Sequence, residues 1–320
     1  MFPEKSLIMA PLSGYTDLPF RRACRRYGCY YAFTPLVEAG AVVHASHRPR
    51  TESLLIRGED EPWLGIQLLG SSPDRIGKAV RLLGARRYEV MDFNMGCPVR
   101  KVTGRGAGVA LCYEPSLAVE CLHAMMENTT LPVTAKIRIV TADDAESTVK
   151  LAVRLAEAGI QALTVHGRTR EQVYSGAVAS DVIRRVQEAL RIPVIANGGV
   201  MDGETAAQLR ISSGCSRLMV ARGAIGNPWI FQQAAGGTEQ WRGPSHEEIC
   251  DEVERHVRGL VGLYGEYGGM RNARKIILAY LVGRGYRRHR RNQAKDLSTL
   301  SEFAGFMRGI RQEGPLGRVI

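Results

Sequence analysis

The sequence lacks the features that mark membrane proteins, disulfide-bonded secreted proteins and zinc proteins. None of its apolar runs approaches the roughly 20 residues that a membrane-spanning helix needs. Its first residues have no basic segment followed by an apolar one, so we expect no signal peptide. The cysteines number seven, which is odd, and no pair has the Cys-x-x-Cys spacing typical of zinc sites and redox pairs. We therefore expect a cytoplasmic protein with reduced thiols and no metal site.

Acidic residues are scarce relative to basic ones. The chain has 43 Lys and Arg against 32 Asp and Glu, a net charge of +11. Such a surplus favours a polyanionic partner, with nucleic acid ahead of an anionic membrane surface. Between Glu266 and Asp296 no acidic residue occurs, yet nine basic residues and three tyrosines do. Arginine with nearby aromatic rings suits phosphate contacts and base stacking, and a solvated helix face is the alternative interpretation.

Up to about residue 231, short β-rich runs alternate with helix-like runs. Several of the strand-like runs are apolar throughout, which is typical of a parallel sheet covered by helices. Eight strands over about 230 residues fit a (β/α)8 TIM barrel, although periodicity alone leaves a doubly wound sheet open. The predicted strands are Leu7–Pro11, Tyr31–Val37, Leu64–Leu69, Val90–Asn94, Val133–Ile137, Ala162–His166, Val194–Asn197 and Leu218–Ala221.

Polar or turn-forming residues stand at the ends of seven of the eight predicted strands. The fourth strand runs into Asn94-Met95-Gly96-Cys97-Pro98, and the sixth runs into His166-Gly167-Arg168. In a barrel the carboxyl ends of all strands meet at one face, where active sites lie. The sequence therefore predicts a site at that face.

The pattern becomes purely helical after a loose segment between residues 234 and 244. Ser245 and Glu248 have the spacing of a capping box, and Ile249, Val253 and Val257 follow at helical spacing. We predict a helical bundle of about 75 residues. The predicted domains are a barrel over residues 1–240 and a helical domain over residues 245–320.

Two long segments and three short ones match the motifs of one known family. The long segments are 94–102 (Asn-Met-Gly-Cys-Pro-Val-Arg-Lys-Val) and 165–172 (Val-His-Gly-Arg-Thr-Arg-Glu-Gln). The short ones are Ala10-Pro11-Leu12, Asn197-Gly198-Gly199 and Ala221-Arg222-Gly223-Ala224. Taken in their order along the chain, these segments resemble those of the bacterial tRNA-dihydrouridine synthases. The resemblance covers the barrel nearly end to end. Leu12 and residues 178–180 depart from the family pattern, which bears on subgroup more than on activity.

The resemblance implies a barrel that binds FMN, with the flavin ring over its mouth. Gln67 would bond the polar edge of the ring, Lys136 would lie by its pyrimidine end, and the glycine segments after strands seven and eight would take the phosphate. NADPH is the family's usual reductant, and the sequence shows no dinucleotide-binding fingerprint. The implied cofactor contacts are Ala10, Pro11, Leu12, Gln67, Lys136, His166, Asn197, Gly198, Gly199, Ala221 and Arg222.

The resemblance also implies the reaction. The C5–C6 double bond of D-loop uridines in tRNA would be reduced to 5,6-dihydrouridine, with hydride from reduced FMN to C6 and a proton from Cys97 to C5. An ordinary thiol is mostly protonated at neutral pH and still acidic enough to give up its proton. Asn94 and Arg168 would orient a uracil extruded from the RNA. The helical domain would hold the tRNA, with contacts from Arg287, Arg288, Arg290 and Arg291, and we expect the protein to be a monomer.

Two other functions are compatible with parts of the pattern. An FMN barrel acting on a small molecule, such as dihydroorotate or an enone, would explain the flavin motifs but not the basic helical domain. A catalytically silent flavin-containing RNA-binding protein would explain the basic domain. It would not explain why Cys97, Lys136 and His166 are all present.

Overall fold

The strands pair side by side in parallel and close into a barrel. The computed structural model describes residues 1–44, 49–236 and 241–316. The strands in these ranges are β1 (Leu7–Met9), β2 (Tyr31–Phe33), β3 (Val37–Glu38), β4 (Leu64–Leu69), β5 (Val90–Met95), β6 (Val133–Arg138), β7 (Leu163–His166), β8 (Val194–Asn197) and β9 (Arg217–Val220). β1 pairs with both β2 and β9, and β2 also pairs with β4, so that eight strands form a ring and the short β3 pairs with β4 alone.

This ring confirms the predicted TIM barrel, with one local difference. The run Tyr31–Val37, predicted as a single strand, divides into β2 and β3. Pro35 lies in the interruption and has no N–H to donate to a neighbouring strand, so the ladder cannot continue through it.

Helices alternate with the strands, and polar side chains cap several of their first turns. Asp17 accepts a hydrogen bond from the Phe20 N–H at the start of the helix Leu18–Arg26, α1. The predicted capping box is confirmed at the start of the helix His246–Leu281, α11, where Ser245 and Glu248 bond each other's backbone N–H. The helices are α1 (Leu18–Arg26), α2 (Ala39–His44), α3 (Pro49–Leu55), α4 (Pro73–Leu83), α5 (Arg100–Thr103), α6 (Pro115–Met126), α7 (Glu146–Glu157), α8 (Ser180–Ala189), α9 (Gly203–Ser213), α10 (Ile230–Gly236), α11 (His246–Leu281), α12 (Arg288–Gln293) and α13 (Leu300–Glu313).

Apolar side chains fill the amino-terminal end of the barrel interior. Phe2, Phe33 and Trp63 are buried there, and the Phe2 and Trp63 rings meet edge to face with centroids 5.4 Å apart. This end of the interior is thus filled by apolar side chains, and the opposite end is the one at which this fold places its active sites.

The carboxyl-terminal helices begin with α11, which is long but not straight. Gly265 interrupts it with φ 71° and ψ 168°, a backbone conformation that residues with a Cβ rarely adopt. The α-helical hydrogen bonding cannot pass through such a residue, and α11 changes direction there. No helix among residues 1–44, 49–236 and 241–316 has the length and apolar character needed to cross a membrane.

Buried charges join these helices to the barrel. Glu252 of α11 is fully buried and pairs with Arg26 of α1, which donates from Nε at 2.9 Å. Arg284, which follows α11, donates to the Gly226 carbonyl at 2.8 Å and to Asn227 Oδ1 at 3.1 Å. One continuous cluster of buried apolar side chains also extends from the barrel into these helices. The two parts therefore share a core.

Candidate active site

A cavity of about 360 Å³ opens at the carboxyl ends of the barrel strands. Its lining brings together all of the residues predicted for cofactor, catalysis and uracil contact. These residues are Ala10, Pro11, Leu12, Gln67, Asn94, Cys97, Lys136, His166, Arg168, Asn197, Gly198, Gly199, Ala221 and Arg222.

Strand register explains why the polar side chains gather in two adjacent levels of the barrel interior. Arg138, His166 and Asn197 are direct cross-strand partners on β6, β7 and β8. Asn94 and Lys136 are partners on β5 and β6, one level below. Side chains two residues apart on a strand point to the same side, so these two levels face the same interior.

The Lys136 ammonium group gives up its proton more readily than that of an ordinary lysine. Its Nζ donates to Asn197 Oδ1 at 2.9 Å, and Asn197 Nδ2 donates to the Met219 carbonyl at 2.8 Å. Burial, with a smaller contribution from nearby Arg138, lowers the pKa of Lys136 to about 7. A negatively charged ligand beside Lys136 would favour its protonated form.

His166 is surrounded by positive charge. Burial and the cations of Lys136, Arg138, Arg168 and Arg222 lower the pKa of His166 to about 2. The imidazole is therefore neutral over the whole physiological range and offers one donor and one acceptor. With the guanidinium and ammonium groups around it, the pocket is suited to an anionic ligand.

Arg168 has one guanidinium nitrogen that donates to no group among the described residues. Its Nε donates to the Ser175 carbonyl at 3.1 Å, and its Nη2 donates to the Gly176 carbonyl at 2.9 Å. Its Nη1 is buried and has no hydrogen-bond partner among the described residues. A buried guanidinium N–H without a partner is costly, so an acceptor on a ligand would stabilise it.

Cys97 lies on a short loop that is bonded on several sides. Asn94 Oδ1 accepts from the N–H groups of Gly96 (3.2 Å) and Cys97 (3.0 Å). Arg138 Nε donates to the Gly96 carbonyl at 2.8 Å, and the Val109 N–H donates to the Cys97 carbonyl at 3.1 Å. Cys97 is partly exposed, whereas the other six cysteines are buried. The loop thus presents one thiol to the cavity.

Buried groups beneath the cavity orient Asn94. Asp92 Oδ2 accepts from Gln67 Nε2 at 2.7 Å, and Gln67 Oε1 accepts from Asn94 Nδ2 at 2.6 Å. Burial raises the pKa of Asp92 to about 6, opposed by hydrogen bonds from Thr134 and Gln67. The carbonyl oxygen of Asn94 is occupied by the Cys97 loop, so its remaining N–H is the group available to a ligand. The role of Asn94 in orienting uracil stays a prediction.

Arg138 and Tyr174 also line the cavity, and sequence reasoning gave them no role. Arg138 Nη1 donates to the Thr169 carbonyl at 3.1 Å, so this residue bridges the loops after β5 and β7. The Tyr174 ring lies 4.5 Å from the Arg222 guanidinium. A usable indication was present, because Arg138 stands two residues after Lys136 and therefore on the same side of its strand.

The four arginines predicted to contact RNA lie outside the cavity lining. Arg287 and Arg288 are exposed, and Arg291 is half-buried. Arg290 is paired with Glu313, to which its Nε donates at 2.7 Å, and it also donates to Gln293. An exposed ion pair of this kind neutralises the charge that a phosphate contact would use.

A sequence profile described as dihydrouridine synthase (Dus) matches residues 8–313. The chain belongs to the dihydrouridine synthase family. The matched range includes every cavity-lining residue named above, and it also extends through α13.

Individual proteins similar to this chain carry the name of the same family. The tRNA-dihydrouridine synthase B of Pasteurella multocida (strain Pm70) is 35% identical over 283 residues, 88% of this chain and 85% of that protein. A probable tRNA-dihydrouridine synthase of Rickettsia conorii is 37% identical over 283 residues, with the same coverage. Among solved structures, histamine dehydrogenase from Rhizobium sp. 4-9 is similar with a TM-score of 0.53 and 11% identity, over 71% of this chain and 45% of that one. The last likeness concerns the fold alone.

Proposed function

We propose that this protein is a tRNA-dihydrouridine synthase, which reduces the C5–C6 double bond of particular D-loop uridines in tRNA. The observation that carries the proposal is a partly exposed thiol, Cys97, at the mouth of a cation-lined barrel cavity in a member of the dihydrouridine synthase family. A small-molecule oxidoreductase would need the same cavity, but the family match extends beyond the barrel through the helical region.

The cavity residues fit FMN as the cofactor. The unpartnered Nη1 of Arg168 and the cations of Lys136 and Arg222 are donors for a phosphate and for the polar edge of a flavin. Gly198 has φ 124°, and a Cβ there would lie 3.0 Å from His166 Cδ2, so only glycine keeps this part of the wall open. When bound, reduced FMN supplies the hydride that uracil C6 accepts, and NADPH is the proposed source of its electrons.

Cys97 Sγ holds the proton that goes to C5 of uracil. The Asn94 carbonyl and the Arg138 guanidinium fix the backbone that carries this thiol. His166 stays neutral because its pKa is about 2, so it serves as a hydrogen-bonding partner. In this proposal the thiol is the proton donor at the cavity mouth.

The substrate is held in two places in this proposal. Asn94 and Arg168 orient an extruded uracil, and the helical domain of residues 245–320 binds the tRNA beside the catalytic barrel of residues 1–240. The exposed Arg287 and Arg288 are the contacts that the surface supports best. We expect the protein to act in the cytoplasm, where tRNA is found, and as a monomer.

Mass spectrometry of unmodified tRNA incubated with the protein, FMN and NADPH tests the proposal. A gain of two hydrogens at defined D-loop uridines is the expected result. Oxidation of NADPH without that gain would instead indicate a small-molecule oxidoreductase.

Replacement of Cys97 by alanine tests its role separately. We expect Cys97→Ala to retain FMN content and tRNA affinity while turnover falls by about 100-fold or more, the usual contribution of a positioned proton donor. Full activity of this variant would refute the assignment of Cys97.

A further inference from the structure

The loop between β1 and α1 forms one wall of the cavity. This loop, residues 10–17, contributes Leu12 and Tyr15 to the lining. Within it the Leu12 N–H donates to Thr16 Oγ1 at 3.0 Å. Asp17 ends the loop and caps α1. The shape of this wall therefore depends on what holds residues 10–17 in place.

Two side chains of α11 contact this loop from outside. Lys275 Nζ donates a hydrogen bond to the Gly14 carbonyl and lies 4.2 Å from the centroid of the Tyr15 ring. Tyr264 donates from its hydroxyl to Asp17 Oδ2 at 3.1 Å. The two side chains stand on opposite sides of the break at Gly265. Both halves of α11 thus contact the loop.

Lys275 belongs to the basic segment that the sequence offers as an RNA surface, but its ammonium is directed elsewhere. It is half-buried, and burial lowers its pKa, with the Asp17 carboxyl acting in the opposite sense. A cation that bonds a carbonyl and covers an aromatic ring makes directional contacts, in contrast to a solvated charge.

We propose that Lys275 and Tyr264 are positioning residues for the cofactor pocket. They act through Gly14, Tyr15 and Asp17 and keep the wall of residues 10–17 in the conformation that receives the flavin. The inference rests on the proposed function, because it takes FMN as the ligand. Its physical basis is preorganisation: a wall that is already ordered loses less conformational freedom when the ligand binds.

Lys275→Met tests this proposal, since methionine keeps much of the apolar stem and removes the charge. Lys150→Met is the control, because Lys150 is an exposed lysine on α7 that pairs with Glu146. We expect Lys275→Met to weaken FMN binding to the apoprotein about 10-fold, the scale of one charge-assisted hydrogen bond. Lys275→Arg, which restores a cation over Tyr15, should recover most of the affinity. Tyr264→Phe should weaken binding in the same direction, and Lys150→Met should not change it.

FMN fluorescence quenching measures these affinities, and the salt dependence of tRNA binding is measured in parallel. Lys275→Met should have the tRNA salt dependence of the wild-type protein. Wild-type FMN affinity in Lys275→Met, or a shallower salt dependence with FMN affinity intact, would overturn the inference and make Lys275 an RNA contact. Failure of the wild-type protein to bind FMN would overturn the proposed cofactor as well, so the two failures are distinguishable.

Discussion

Gly108 offers a way to displace Cys97 without changing it. Gly108 has φ 64° and begins a short 3-10 helix whose next residue, Val109, bonds the Cys97 carbonyl. A Cβ at Gly108 would lie 2.6 Å from the Cys97 carbonyl oxygen, 3.1 Å from Cys97 Cβ and 2.9 Å from Val102 Cγ1. Alanine therefore cannot be accommodated unless the Cys97 loop moves.

The expected magnitude has two parts. Alanine in a left-handed backbone conformation costs about 1 kcal/mol, and this applies equally at Gly106, where φ is 72°. The nearest atom to a Cβ at Gly106 is Ser71 Oγ at 3.7 Å, so Gly106→Ala is a control with similar backbone strain and no collision. Displacement of a reacting group by about 1 Å costs up to about 100-fold in rate. We expect turnover of Gly108→Ala to fall between about 10-fold and 100-fold below that of Gly106→Ala.

Single-turnover formation of dihydrouridine measures the rate, and alkylation of Cys97 by iodoacetamide, followed by mass spectrometry, measures the exposure of the thiol. Denaturant unfolding of both variants accounts for any loss of folded protein. The reasoning is refuted if Gly108→Ala matches Gly106→Ala in both turnover and alkylation rate.

Two further predictions concern charge. Lys136 has a pKa of about 7 in the folded protein, against an ordinary value of 10.5. Between these pH values the unfolded chain therefore binds more protons than the folded protein does. The contribution of Lys136 to the free energy of unfolding consequently rises with pH across that window. Denaturant titrations of the apoprotein should show this rise relative to Lys136→Met, and parallel curves would contradict it. Arg287→Ala with Arg288→Ala should make the salt dependence of tRNA binding shallower by about 1.5 in log–log slope, whereas Arg290→Ala should change it less because Glu313 already pairs with Arg290. If Arg290→Ala lowered the slope by about half as much as the double variant, the share of one phosphate contact, the distinction would be refuted.

Much of the fold was predictable because buried strands leave a strong pattern. Apolar runs such as Leu64–Leu69 and Val194–Asn197 coincide with β4 and β8. The break at Gly265 was not predictable, since helical spacing resumes after it and a single glycine is compatible with a continuous helix. Pro35 was a visible indication of the division between β2 and β3, but the apolar residues around it obscured it.

The site was predictable where chemistry and strand ends coincide. Cys97, Lys136 and His166 stand at the ends of successive strands, and the barrel brings such ends together. Asp92 was missed because an acid within an apolar strand reveals its partners only through register. The basic segment was predictable as a surplus of charge but not residue by residue. Arg284 and Lys275 bond the barrel, and such pairing depends on contacts distant in the sequence.

The contact between Gly226 and α11 determines how closely the loop after β9 approaches this helix. A Cβ at Gly226 would overlap the main chain of Ala279, so backbone packs directly on backbone where the loop after β9 meets α11. Spacing of this kind does not vary with side-chain rotamers. The separation between the loop after β9 and α11 is therefore set by the two main chains at this point. If tRNA binds these helices as proposed, the backbone contact at Gly226 keeps their position beside the barrel independent of side-chain rearrangement.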